Sequence, residues 1–142
     1  MSTKPKLYIL RGVPGSGKTT IAEAMLKNRL VEAHHEQDHY FIGKDGKYNY
    51  DRSKIQIAVK YCQECVRDSL SNGKNTVVAN SFIKLWTVDK FVAIAQEYNA
   101  SVVILKATGN FVNTFGIPEN VIKNQRREYE PYPGEVQLSP EL

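Results

Sequence analysis

Cysteine is scarce in this chain. Cys62 and Cys65 are the only two among 142 residues, far below the density of a disulfide-stapled secreted scaffold. No apolar run approaches the ~18–20 residues that a membrane span needs. The opening residues Met1-Ser2-Thr3-Lys4-Pro5 lack the apolar core and cleavage pattern of a secretory signal. These absences together lead to the expectation of a cytoplasmic, reducing setting. There is no internal repeat and no low-complexity tract, which excludes solenoids and arrays. Neither sign of charge dominates: 19 Lys and Arg against 15 Asp and Glu give a net charge of +4, a mild bias toward a polyanionic partner. What is present is ordinary for a folded chain, with 42% hydrophobic and 24% charged residues, and the length suits one domain.

Short β-branched apolar runs alternate with longer segments of helical period. Lys6-Leu7-Tyr8-Ile9-Leu10 reads as a buried strand closed by Gly12. Thr19 to Asn28 follows as a helix with Ile21, Ala22, Met25 and Leu26 on one face. A weaker strand, Ala33 to Gln37, ends at Asp38, and a polar loop from Ile42 to Tyr50 turns at Asp45-Gly46. Ser53 and Gln56 form a capping-box pair at the start of a long helix. Its apolar stripe is Ala58, Tyr61, Cys62, Cys65, Val66 and Ser69, and Asn72-Gly73 stops it.

Asn75 to Ala79 is the next strand. Thr87 caps a helix that turns Val88, Phe91, Val92, Ala95 and Tyr98 inward, and Ser101 to Ala107 is the last clear strand. Ile117-Pro118-Glu119 opens a final helix with proline at its first position, and Pro131 ends the pattern. This alternation predicts an α/β fold of three layers, a mainly parallel sheet with helices on both faces. The domain is expected to span 1–130, with 131–142 an extended Pro-rich tail.

One motif carries chemistry outright. Gly12-Val13-Pro14-Gly15-Ser16-Gly17-Lys18-Thr19 matches the phosphate-loop pattern G-x-x-x-x-G-K-[ST], after a strand and at the start of a helix. Its glycines let backbone N–H groups aim at phosphate oxygens, and the helix N-terminus adds partial positive charge there. In this pattern Lys18 bridges the β- and γ-phosphates and Thr19 ligates Mg²⁺, and Gly12 to Thr20 are the expected nucleotide-binding residues. ATP and Mg²⁺ are the expected cofactors.

A kinase also needs a carboxylate to orient the acceptor hydroxyl and take its proton. Asp38 stands at the tip of the second strand, the edge where α/β sheets bind ligands. A helix cap or turn is the plainer role for a lone aspartate; the position favours the catalytic one.

Other groups have simpler readings. Cys62 and Cys65, three apart on a helix stripe, read as small buried hydrophobes rather than a zinc or redox pair. His35 and His39 are candidate acceptor-site groups, while His34 reads as structural or exposed. Arg126-Arg127 reads as a solvated helix face, with bracing of nucleotide phosphates as the functional alternative for Arg126. Trp86, Tyr48 and Tyr50 are candidates to stack a base, with core packing the plainer reading of Trp86.

The chain resembles the small P-loop kinases grouped with the phage polynucleotide 5′-hydroxyl kinase, most closely the related ATP-binding proteins of phages and bacteria. The resemblance rests on Leu10 to Thr20, Asp38-x-Tyr40-Phe41, Gly46-x-Tyr48-x-Tyr50-Asp51, Ala58-x-x-x-Cys62-Gln63, Val77 to Phe82, and Gly109-Asn110-Phe111 leading to Gly116-Ile117-Pro118. It implies a P-loop kinase fold, Asp38 as general base, and a lid over Ala107 to Ile117. It also implies a host cytoplasm if the chain is phage-encoded.

Three positions depart from that kinase. His39, Tyr40 and Phe41 stand where an arginine follows its base; the lid has no arginine; and Ala79-Asn80-Ser81 replaces an acidic residue after the third strand. The resulting expectation is an ATP-dependent phosphotransferase acting on a hydroxyl of a single-stranded nucleic acid end or a nucleoside-like acceptor. An ATP-binding module without transfer activity and a small-metabolite or zeta-toxin-like kinase are the alternatives.

Overall fold

The computed structural model describes residues 4–111 and 116–139. Five strands, β1 (Lys6–Arg11), β2 (Ala33–His35), β3 (Thr76–Ala79), β4 (Ser101–Ala107) and β5 (Val136–Leu138), form one sheet in the order β2-β3-β1-β4-β5. Every pairing is parallel. The helices are α1 (Lys18–Lys27), α2 (Ile55–Ser71), α3 (Leu85–Glu97) and α4 (Glu119–Glu128).

β1 is central, and its alternating side chains feed two cores. Leu7 and Ile9 pack with Val78 and Ile104 of the sheet, Cys62, Val66 and Leu70 of α2, and Val88, Phe91 and Ile94 of α3. Tyr8 and Leu10 pack on the other face with Val77 and Leu105, against Ile21, Ala22 and Met25 of α1. This is the three-layer α/β arrangement. Because the strands are parallel, the loops after β1, β2, β3 and β4 all emerge at one edge of the sheet, where ligands bind in such folds. Among the described residues no helix is long and apolar enough to cross a membrane.

Several local expectations change in the folded chain. Leu26 of α1 is exposed rather than packed. Ser53 does not cap α2: a 3-10 turn, Arg52–Lys54, precedes that helix. Asp51 Oδ1 accepts both the Ser53 N–H at 3.0 Å and its hydroxyl at 2.7 Å. Tyr61, expected in the buried stripe of α2, is exposed. α3 begins at Leu85, so Thr87 lies within its first turn and its hydroxyl donates back to the Lys84 carbonyl. Pro118 stands just before α4 rather than at its first position.

In the segment read as an extended tail, a turn at residues 133–134 leads into β5, which joins the edge of β4. Residues 140–142 of that segment, and residues 112–115 of the segment read as a lid, lie outside the described residues.

Candidate functional site

The phosphate loop connects β1 to α1 and is shaped by close backbone approaches. A Cβ on Gly12 would meet Ser16 Oγ at 2.3 Å, and one on Gly15, whose φ is +82°, would meet the Phe111 carbonyl at 2.7 Å. Only glycine fits both places. The segment after β4 is tied onto the loop: Gly109 N donates to Ser16 O at 2.9 Å and Phe111 N to Gly15 O at 2.7 Å. Lys18 Nζ donates to the carbonyls of Gly12 at 2.8 Å and Val13 at 3.1 Å. Burial pushes its ammonium down to about 8, against the opposing pull of Glu36 and Asp38.

Glu36 is a candidate site residue that the sequence alone does not single out. It is buried directly after β2, and its two carboxylate oxygens accept the Thr19 hydroxyl at 3.1 and 3.0 Å. His34 Nε2 lies 2.6 Å from Glu36 Oε2, and His39 Nε2 lies 4.0 Å from the same oxygen. Burial favours the neutral acid, yet the hydrogen bond and charge of His34, with His39 and Thr19, hold Glu36 below the usual carboxylate range. Signals for Glu36 in the sequence were limited to its place two residues before Asp38.

Asp38 lies in a 3-10 turn, Gln37–Phe41, that follows β2. Asn80, after β3, holds this turn by accepting the Gln37 N–H at 2.7 Å. Tyr48 donates its hydroxyl to Asp38 Oδ1 at 3.1 Å. Burial raises the Asp38 carboxyl, with Glu36 adding to it and Tyr48 opposing.

Lys18, Thr19, Glu36 and Asp38 all open into one cavity of about 800 Å³. Tyr48, Tyr50, Trp86 and Phe111 add aromatic wall; Gln63, Asn80, Ser81 and Lys90 add polar groups. The Tyr48 and Tyr50 rings are stacked at 6.4 Å with planes 16° apart. Trp86 is not core: it is 62% exposed, with Lys90 Nζ 5.6 Å from its ring centroid.

The loop after β3 is set by Arg11, which is fully buried. Its Nε and Nη2 donate to the Phe82 carbonyl at 2.9 and 2.7 Å, holding Phe82 at a left-handed φ of 48°. Such a backbone in a bulky residue persists only when its surroundings impose it.

A smaller cavity of about 380 Å³ lies on the other side of the loop, lined by Val13, Ser16, Lys106, Asn110, Arg126 and Tyr129 among others. Arg126 Nη2 donates to Asn110 Oδ1 at 3.2 Å. The Ser16 hydroxyl is buried with no hydrogen-bond partner among the described residues. Val13 and Ser16 therefore face Arg126, while Pro14, Gly15, Gly17, Lys18, Thr19 and Thr20 face the larger cavity.

The histidines sort differently from expectation. His35 points away from the larger cavity, its Nε2 2.8 Å from Ser69 Oγ of α2, and burial pushes it down to about 4. His34 is buried against Glu36, and His39 turns toward the same carboxylate rather than lining the cavity. Cys62 is buried and its thiol pushed up to about 12 by burial, in keeping with a packing role. The Thr19 hydroxyl and the Glu36 and Asp38 carboxylates are hard oxygen donors, a set that suits Mg²⁺.

The human NEDD4-binding protein 2 is 25% identical over 97 residues, which cover 68% of this chain; the chain spans about a twentieth (5%) of that relative's length. A chain of the Pnkp1/Rnl/Hen1 RNA repair complex superposes with a TM-score of 0.70 at 20% identity, over 94% of this chain and 50% of that one. The Mycobacterium tuberculosis APS kinase CysC, in complex with AMPPNP and APS, superposes with a TM-score of 0.65 at 11% identity, over 98% and 90%. The fold is thus the P-loop kinase-like one. Residues 7–108, from β1 to the end of β4 and including the phosphate loop, Glu36 and Asp38, match the family model described as an AAA domain, and the chain belongs to that family.

Proposed function

We propose that this chain is an ATP- and Mg²⁺-dependent phosphotransferase whose acceptor is a hydroxyl on a nucleic acid end or a nucleoside-like molecule. The observation that carries it is the shared cavity: Lys18 and Asp38 line one space whose walls include Tyr48, Tyr50 and Trp86. A phosphate-holding lysine and a buried carboxylate are the two groups a hydroxyl kinase needs, and aromatic walls suit a base. The RNA repair and APS kinase neighbours support the same reading.

In this scheme the loop amides and Lys18 hold the triphosphate, and Arg126 braces it from the smaller cavity. Thr19 would hold Mg²⁺ with Glu36 beside it; the ion neutralises phosphate charge when bound. Asp38 accepts the proton of the acceptor hydroxyl. The hydroxyl oxygen then bonds to the γ-phosphorus as the bond to the β–γ bridging oxygen breaks, leaving ADP. Burial, which raises the Asp38 carboxyl, makes it a stronger base.

A second reading, a nucleotide-responsive module without transfer, is favoured by one feature. The segment from Ala107 to Ile117 holds no arginine, so the charge that a lid arginine supplies is missing there. Incubation with γ-labelled ATP and a panel of 5′-hydroxyl DNA, 5′-hydroxyl RNA, nucleosides and small polyols separates the readings. Label on an oligonucleotide or nucleoside supports the proposal, label on a polyol points to a metabolite kinase, and none on any acceptor points to the module.

A further inference from the structure

His34, Glu36 and His39 place two imidazoles and a carboxylate on one point. Their donor atoms all lie within 4.8 Å of one another, and the two imidazole rings meet edge-to-face at 5.0 Å between centroids. This convergence comes from the chain path. β2 delivers His34, Glu36 follows at the strand end, and the 3-10 turn brings His39 back over it. His34 and Glu36 are 8% and 7% exposed, so the group is preformed, while His39 at 37% leaves one side open.

We infer that His34, Glu36 and His39 form a binding site for a divalent transition-metal ion of the Zn²⁺ class, on the histidine side of the Glu36 carboxylate whose other face meets the Thr19 hydroxyl where Mg²⁺ is expected. Two nitrogen donors and one carboxylate oxygen suit Zn²⁺, Co²⁺ or Ni²⁺, whereas Mg²⁺ selects oxygen donors and water. A four-coordinate ion with bonds near 2.0–2.1 Å sets its ligands about 3.3 Å apart. The observed separations of 2.6 Å from His34 and 4.0 Å from His39 to Glu36 Oε2 bracket that distance. Small side-chain rotations therefore complete three ligands, and solvent on the His39 side supplies the fourth. Such an ion staples β2 to the turn that carries Asp38, so metal binding stabilises the corner from which the acceptor is addressed.

The test uses the untagged full chain, freed of metal by chelation and titrated with Co²⁺ in millimolar Mg²⁺ without nucleotide. The expected result is strong visible ligand-field absorption that saturates at one equivalent, is displaced by Zn²⁺, and accompanies a higher melting temperature. His39→Ala should weaken binding at least about tenfold, and His35→Ala, whose ring bonds Ser69 instead, should leave it unchanged. His34→Gln carries the same expectation as His39→Ala through an independent ligand, so one folded variant of the two suffices. A spectrum of hydrated Co²⁺ alone, displacement by Mg²⁺, or unchanged affinity in a folded His39→Ala or His34→Gln protein would overturn the site.

Discussion

Arg11 Nη1 lies 2.6 Å from Glu135 Oε1, joining the residue before the phosphate loop to the segment before the last strand. Arg11 also donates to the Phe82 and Glu130 carbonyls, and its guanidinium sits 4.2 Å from the centroid of the Tyr129 ring. A fully buried cation is tolerable only when every face is answered in this way. The C-terminal segment is consequently part of the site's foundation.

Removing Glu135 leaves that cation buried without its counter-charge. Glu135→Ala should therefore lower unfolding free energy by about 3–5 kcal/mol, the usual cost of breaking one side of a buried pair. Urea denaturation checks it. A midpoint equal to the parent's would mean that the carbonyls alone satisfy Arg11.

Lys18, pushed down to about 8 by burial, gives nucleotide binding a pH signature. As pH rises through that value the free protein loses the Lys18 charge, so ATP affinity should fall. Phosphate charge raises the lysine again, so binding above pH 8 should take up a proton. Calorimetry in two buffers of different ionisation enthalpy measures the uptake. Lys18→Ala should lose measurable ATP binding altogether; a folded variant that binds ATP as the parent does would remove the lysine from its assigned place.

Trp86 is the single tryptophan of the chain, and it stands on the cavity wall. Its fluorescence should respond to an acceptor more than to ATP. Trp86→Ala should raise the acceptor KM at nearly constant ATP affinity, because the side chain is exposed and contributes little to the core. Identical acceptor kinetics in the variant would move the acceptor away from this wall.

These residues also mark what a sequence discloses. The phosphate-loop pattern is legible because it is written in contiguous residues at fixed spacing. The sequence puts Asp38 at the tip of a strand running to Gln37; β2 instead ends at His35, and Asp38 sits in the 3-10 turn that follows, still lining the larger cavity. Trp86 misleads because α3 begins two residues before Thr87, which displaces the helix start and leaves the ring outside. Glu36 is silent because its meaning depends on Thr19, 17 residues earlier, and on a 3-10 turn that folds His39 back. β5 escapes notice because three residues of edge strand, anchored by a side chain 124 positions away, carry almost no local period. Short-range pattern yields the layers; long-range partners decide the corner where the chemistry sits.

If the acceptor is a polynucleotide, its affinity should fall at least about tenfold between low and physiological salt, with a log–log slope near −0.7 for each phosphate contacted on a single strand. Lys44 and Lys47, exposed in the loop after Asp38, stand outside the cavity. Lys90 lines it. Replacing Lys44 and Lys47 together should weaken oligonucleotide binding, and Lys90→Ala should reduce the slope by about 0.7. Binding indifferent to salt indicates a small-molecule acceptor.

The most direct measurement compares Asp38→Asn with the parent in single-turnover phosphate transfer from ATP to an acceptor that the labelled panel identifies. Asparagine keeps the size of the side chain and its bond from Tyr48, but it cannot accept the hydroxyl proton. ATP affinity should stay within a few-fold, while the transfer rate should drop by about 10²–10⁴, the scale of lost general-base assistance. The parent's rate should rise with pH as Asp38 ionises, with a midpoint above the ordinary aspartate value. Transfer by Asp38→Asn at the parent's rate would contradict the assignment of Asp38 as the base and, with it, the reading of the shared cavity as a kinase site.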